Sequence, residues 1–182
     1  MTVPRAAMAG LLSLDEVNAM DEDAFVAALG GLFEHSPWVA RDACGRRPFA
    51  SVDDLHGALE AAMRAAPRAR QVELIRAHPE LAGREARAGE LTAASAGEQA
   101  RAGLDRLSAR EVRALSELNR DYRERFGFPL VVCVREHTKD SILAWGRERV
   151  AHAPDAEVGI ALGEIAKIAG LRLRDMVGEG AR

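Results

Sequence analysis

The chain carries only two cysteines, Cys44 and Cys133, far apart in sequence. Two such residues build neither a disulfide framework nor a zinc pattern, and a reduced, cytoplasmic setting is the expectation. No two of the five histidines have the spacing of a metal pair, so no metal is expected. Charge of one sign is not in excess. A net charge of -3 and a pI near 6.0 exclude a nucleic-acid binder that works by neutralising phosphates. No run is long and apolar enough to span a membrane. Arg5 and a short apolar stretch over 6–14 open the chain, but Asp15 and Glu16 follow at once and no small-residue cleavage site closes the stretch. It reads as a lead-in, not as a signal peptide. The final Gly180-Ala181-Arg182 is not a peroxisomal address. Aromatics make up 4% of the chain. Ala, Leu, Arg and Glu are abundant instead, and all four favour helices.

What is present is helical periodicity. Ser13 with Glu16 has the form of a capping box opening a short helix, and Asp21 can cap the next, with Phe25, Leu29, Leu32 and Phe33 inward. Ser36-Pro37 carries an N-cap and N1 signature. Ser51 with Asp54 opens a helix bearing Leu55, Leu59 and Met63, and Pro67 starts one that runs to His78-Pro79. Residues 83–91 are polar and read as a loop. Ser95 with Glu98 looks like another capping box, with Leu104 and Leu107 near its helix's end, and Ser108 with Glu111 opens a long helix that Gly127 stops. Residues 129–134 are apolar and rich in β-branched side chains, consistent with a strand or a buried extended crossing. Thr138 and Pro154-Asp155 open the last two helices. A lone apolar run cannot make a sheet, so the spacing predicts an all-α, single-domain helical bundle of about eight or nine helices. The domain spans 14–178, between a lead-in of 1–13 and a tail of 179–182. At 182 residues it can bury a sizeable core.

Two stretches carry chemistry. His78 stands before Pro79, where a helix stops, and Ser95, Glu98 and Gln99 follow near the start of a later helix. Two helix ends can thus present an imidazole and a carboxylate to one cleft, a pair suited to proton transfer without a metal or organic cofactor. On spacing alone each feature has a plainer reading. His78 can be a helix-end histidine touching carbonyls. Ser95 and Glu98 can simply cap, and a first-turn Gln99 can face water. Arg172, with Lys167 and Arg174 nearby, can belong to a solvated basic face. His35 reads as structural beneath Trp38, and His56, His137 and His152 as surface or partner-contact residues. Cys133 reads as a small buried residue with no mark of an activated thiolate. Leu115, Leu118 and Tyr122 read as core or dimer face.

In order along the chain, Arg47-Pro48-Phe49, His78-Pro79-Glu80-Leu81-Ala82-Gly83, Ser95-x-x-Glu98-Gln99-x-x-Ala102-Gly103-Leu104, 126–135 (FGFPLVVCVR) and Glu164-Ile165-x-Lys167-Ile168-x-x-Leu171-Arg172-Leu173 together resemble the OHCU decarboxylase family. OHCU is 2-oxo-4-hydroxy-4-carboxy-5-ureidoimidazoline. The resemblance runs from residue 14 to residue 177. It implies an all-helical homodimer that converts OHCU to S-allantoin late in urate breakdown, with loss of carbon dioxide and no cofactor. It makes His78 the catalytic residue. It places Pro79, Ser95, Glu98, Gln99 and Arg172 around the substrate, with the backbone of Leu130, Val131, Val132, Cys133 and Val134. Glu136 and His137 depart from the family's pattern.

Such a decarboxylation needs an electron sink, and the ring C=N beside the carboxylated carbon supplies one. Orientation and fixed dipoles are then the protein's main levers. His78 would take a proton from the hydroxyl or deliver one to the incipient carbanion. Glu98 would share the catalytic work by setting the imidazole's charge state, Ser95 and Gln99 would read ureido and ring amides, and Arg172 would pair with a substrate oxygen. The alternatives are a decarboxylase of a related cyclic ureido acid and a helical ureide-binding module without catalysis.

Overall fold

Short polar side chains one residue ahead of each apolar stripe start most of the helices. The computed structural model describes residues 11–178. The rest of the expected lead-in and the tail 179–182 lie outside them. Helix α1 (Leu14–Ala19) starts at a Ser13–Glu16 capping box, and α2 (Glu22–Leu29) at Asp21, whose carboxylate accepts from the Ala24 N–H at 2.8 Å. A 3₁₀ turn (Gly30–Leu32) leads to α3 (Trp38–Cys44). Here the Ser36-Pro37 expectation shifts. Pro37 occupies the cap position without a side-chain bond, and buried Ser36 belongs to the preceding turn, its N–H donating to the Phe33 carbonyl at 3.1 Å.

Ser51 caps α4 (Val52–Ala65), and Pro67 precedes α5 (Arg68–Arg76). The polar stretch 83–91 is not all loop. It contains α6 (Arg84–Ala88), stopped by Gly89 at φ +72°. Helix α7 (Ala93–Arg101) overturns a second expectation. Its cap is Thr92, whose hydroxyl accepts from the Ser95 N–H at 3.3 Å, so Ser95 and Glu98 lie inside the helix and do not form a capping box. Leu104 and Leu107 lie beyond its end. Helix α8 (Ala109–Phe126) has the Ser108–Glu111 box and the left-handed Gly127, α9 (Lys139–Val150) follows Thr138, and α10 (Pro154–Met176) has its proline at the first turn.

There are thus ten α-helices among the described residues, α6 accounting for the excess over the expected number. The run 129–134 pairs with no strand. It crosses the interior extended and ends in a 3₁₀ turn (Val134–Glu136). The sheet among the described residues is a two-residue parallel ladder, β1 (Leu12–Ser13) on β2 (Val177–Gly178). Helix α10 packs against α4 and α5, α3 against α2 and α4, and α8 against α9. Phe25, Leu29, Leu55, Leu59, Leu74, Ile75, Leu130 and Leu173 lie fully out of solvent in the core. Helix α10 also buries three charged residues, Glu157, Glu164 and Arg172. They stand about two turns apart in succession, which puts them along one side of the helix.

Candidate active site

Helix α5 ends at Arg76 with Ala77 as its cap, and His78 follows just past that end, ahead of Pro79. The imidazole Nδ1 lies 3.0 Å from the Leu74 carbonyl oxygen. A carbonyl only accepts, so Nδ1 carries the proton and Nε2 keeps its lone pair. His78 is buried, and its Nε2 has no partner among the described residues. Burial, opposed by the Leu74 bond and the nearby Glu34, pushes its pKa down to about 4. The ring therefore stands neutral at pH 7 with a basic nitrogen free. The helix-end reading of His78 describes Nδ1, and Nε2 is left without a bond among the described residues.

The turn after Pro79 is held from several sides. The Ala82 N–H donates to Gln99 Oε1 at 2.8 Å, Gln99 Nε2 donates to the Glu80 carbonyl at 3.4 Å, and Asn119 Nδ2 donates to the Leu81 carbonyl at 3.0 Å. Ala82 sits at φ +47°, a strained value for a residue with a Cβ that these bonds hold in place. Both polar ends of Gln99 thus grip this turn.

Within α7, Ser95, Glu98 and Gln99 share a buried face at i, i+3 and i+4. Arg172 of α10 meets Glu98 through two bonds, Nε to Oε1 and Nη2 to Oε2, each 2.8 Å. Arg172 also donates to the Leu32 carbonyl at 3.3 Å, to Ser95 Oγ at 3.2 Å and to Glu34 Oε1 at 3.1 Å. Glu34 is a member of this cluster that sequence reasoning missed. Its Oε1 also accepts from Thr92 Oγ1 at 3.0 Å and from Ser95 Oγ. Burial alone would raise the Glu34 carboxyl, but the Ser95 bond and the Arg172 charge outweigh it and hold the group below its ordinary range. Burial likewise works against the Arg172 guanidinium, and the Glu98 bond and the two carboxylates raise its pKa in spite of it.

The opposite wall is the extended crossing. Arg149, fully buried, donates to the Val131 carbonyl at 2.7 Å, and Glu164 accepts from the Cys133 N–H at 2.8 Å. Between these two anchors, the Val132 N–H and carbonyl have no partner among the described residues. Arg149 is itself fixed by Glu157 at 2.6 Å and by Tyr122 Oη at 3.1 Å, with the guanidinium over the Trp145 ring at 4.5 Å.

A small cavity lies between these parts, lined by His78, Pro79, Leu81, Ser95, Glu98, Gln99, Leu130, Val131, Val132, Val134, Ile168 and Arg172. Of the residues proposed from sequence, Cys133 alone stays off the lining. Its N–H is taken by Glu164, and burial, aided by Glu136 and Glu164, pushes its thiol up to about 11. His35 lines a separate polar cleft with Glu34, Arg76, His78 and Thr92. The departing pair points elsewhere: Glu136 meets Lys167 at 3.3 Å, and His137 stacks on Trp145 with ring centroids 5.2 Å apart. His56 and His152 are fold contacts within the chain, bonded to the Ala166 carbonyl at 2.8 Å and to Glu157 at 2.9 Å. Tyr122 is core, its hydroxyl donating to Glu157. No group of three or more His, Cys, Asp or Glu among the described residues could hold a metal ion, and none of their helices is long and apolar enough to cross a membrane.

A neutral imidazole that lines one cavity with a fixed guanidinium–carboxylate pair is chemically able to move a proton, and the helices around it make an all-α site of that kind. Residues 18–174 match the family described as OHCU decarboxylase, and the chain belongs to that family. It is 46% identical over 164 residues to the 2-oxo-4-hydroxy-4-carboxy-5-ureidoimidazoline decarboxylase of Haloferax volcanii, covering 90% of this chain and 95% of that one. A solved (S)-allantoin synthase matches with a TM-score of 0.72 and 26% identity over 92% of this chain, which spans 54% of the solved chain. An OHCU decarboxylase solved in the presence of (S)-allantoin shares the fold, with a TM-score of 0.64 and 20% identity over 86% of this chain and 97% of its own.

Proposed function

We propose that this chain decarboxylates 2-oxo-4-hydroxy-4-carboxy-5-ureidoimidazoline to (S)-allantoin in urate breakdown. The observation that carries the reading is His78 Nε2, a buried acceptor without a partner among the described residues, on a residue that lines the cavity shared with Glu98 and Arg172.

The substrate's name fixes the electron flow. C4 bears the hydroxyl and the carboxylate, and C5 bears the ureido group and the ring C=N. Breaking the C4–carboxylate bond releases carbon dioxide. The bonding pair forms C4=C5, the C=N pair moves onto the ring nitrogen, and that nitrogen takes one proton from solvent. Neutral His78 accepts the C4 hydroxyl proton at Nε2 and returns it to C5, leaving C4 as a carbonyl. Delivery from the imidazole's side alone sets one configuration at C5. Its Nδ1–H bond to Leu74 orients the ring and steadies the transient imidazolium. Glu98, held by Arg172, can take a hydrogen bond from the substrate on its remaining lone pairs. Arg172 acts chiefly through the groups it fixes, because most of its donors already meet protein acceptors. The open Val132 amide can pair with a ring lactam. Gln99 shapes the pocket by holding the turn after Pro79.

The test generates OHCU in place from urate with urate oxidase and hydroxyisourate hydrolase, and follows circular dichroism. Uncatalysed decay yields racemic allantoin. Rapid appearance of one optically active allantoin, lost in His78→Ala, supports the reading; racemic product at the background rate overturns it. The family resemblance also favours a homodimer, for which light scattering would give twice the 19.6 kDa of one chain; the two free cysteines favour a reducing, cytoplasmic setting.

A further inference from the structure

The direction of one hydrogen bond carries an inference about what the site selects. Ser95 Oγ has a single proton, and that proton goes to Glu34 Oε1. The same oxygen accepts from Arg172 Nη2 at 3.2 Å. Ser95 lines the cavity, and with its one proton taken its hydroxyl can only accept there. His78 Nε2 is an acceptor as well, and Glu98 is a third. One side of the cavity is thus made of groups that accept, which fits a ligand edge made of N–H and O–H donors. An end-on ureido group is such an edge.

Glu34 imposes this polarity from outside the lining. It sits in the turn between the 3₁₀ turn and α3, 3% exposed, with His35 next to it at φ +47°. It draws in two hydroxyl protons, from Ser95 and Thr92, and one guanidinium donor. A carboxylate has no proton of its own and only accepts. Ser95 cannot turn its hydroxyl toward the cavity without leaving a buried carboxylate short of a donor.

We propose that Glu34 is a specificity-determining positioning residue, which locks Ser95 as a hydrogen-bond acceptor and so selects ligands that present ureido N–H donors. The inference rests on the proposed OHCU reading and names how that site tells a ureide from a bare ring. Glutamine at this position loses the lock. Its amide can donate to Ser95 Oγ, freeing the serine proton to point into the cavity against the ligand's N–H.

The test is calorimetric binding of two probes, (S)-allantoin, which has the ureido arm, and hydantoin, the same ring without it. Wild type is expected to prefer allantoin. In Glu34→Gln the preference falls about tenfold, the worth of one good hydrogen bond, while hydantoin binds as before. Ser95→Ala gives a similar fall, and the double variant falls no further. A merely structural role for Glu34 would weaken both probes in parallel, and that result overturns the inference. If Glu34→Gln does not fold, Ser95→Ala decides, because an undiminished preference there overturns the inference equally. A wild-type chain that neither turns over OHCU nor binds allantoin would overturn the proposed function and this inference together. Wild-type turnover with the preference intact in the variants overturns the inference alone.

Discussion

Acid should cost this protein stability through one imidazole. His78 titrates near 6.5 in an unfolded chain, and burial lowers it to about 4 in the fold. Between those values the unfolded chain binds the proton and the folded chain does not. Stability therefore falls as pH falls through that window, and the contribution is complete above the upper value. From pH 7 to pH 5 the loss from this group integrates to about 2 kcal/mol, and to about 3 kcal/mol once both states are protonated. Glu34 adds little between pH 7 and pH 5, since the stability from a carboxyl held low is lost only as pH falls through its ordinary value of 4.5 and below. His78→Asn isolates the effect: the amide can still donate toward the Leu74 carbonyl but takes up no proton. Urea midpoints at pH 7 and pH 5 should show wild type losing about 2 kcal/mol more than the variant, with the remaining histidines cancelling in the comparison. The same lowered pKa keeps the base available, so kcat/KM should stay flat from pH 7 to pH 5 with respect to this group. Equal losses in both proteins, or activity halving near 6.5, would refute the claim that the fold holds His78 neutral.

Two further outcomes follow from the wall opposite His78. Arg149→Met strips Glu157 of a fully buried counter-charge and the Val131 carbonyl of its donor, at a cost of about 3–5 kcal/mol. Calorimetry should show a melting temperature lower by roughly 10 °C, partly regained when Glu157 is also made Met. At Gly146 an added Cβ would lie 2.6 Å from a Leu118 methyl and 2.9 Å from a Leu130 methyl. Gly146→Ala should cost about 1–3 kcal/mol by overpacking. Because Leu130 lines the cavity, steady-state kinetics should show KM rising more than kcat falls.

The helix starts at Ser13, Ser51, Ser108 and Thr138 were legible because each depends on a bond to a residue three positions away. Ser95 has the same spacing to Glu98 and is not a cap. What turns it inward is Arg172 and Glu34, 77 and 61 residues away in sequence, while Thr92 caps instead. A local pattern holds no information about such partners. The motif resemblance brought His78, Glu98 and Arg172 forward, and the fold brings those three to one cavity. Glu34, Arg149, Glu157 and Glu164 escaped because each acts through a backbone group or a distant side chain. One signal was available: acids at 157 and 164 on the same side of α10 as Arg172, among apolar neighbours, are charges where a solvated face has none. Gln99 was legible as a residue of the site, but its hold on the turn after Pro79 was not, since nothing in the sequence pairs it with Ala82.

The two-residue ladder between β1 and β2 brings the start and the finish of the described chain to one spot on the surface. A folding unit whose ends meet this way behaves like a plug with both wires at one corner. Another polypeptide can be spliced ahead of it or behind it without threading past the cavity or unwinding α10.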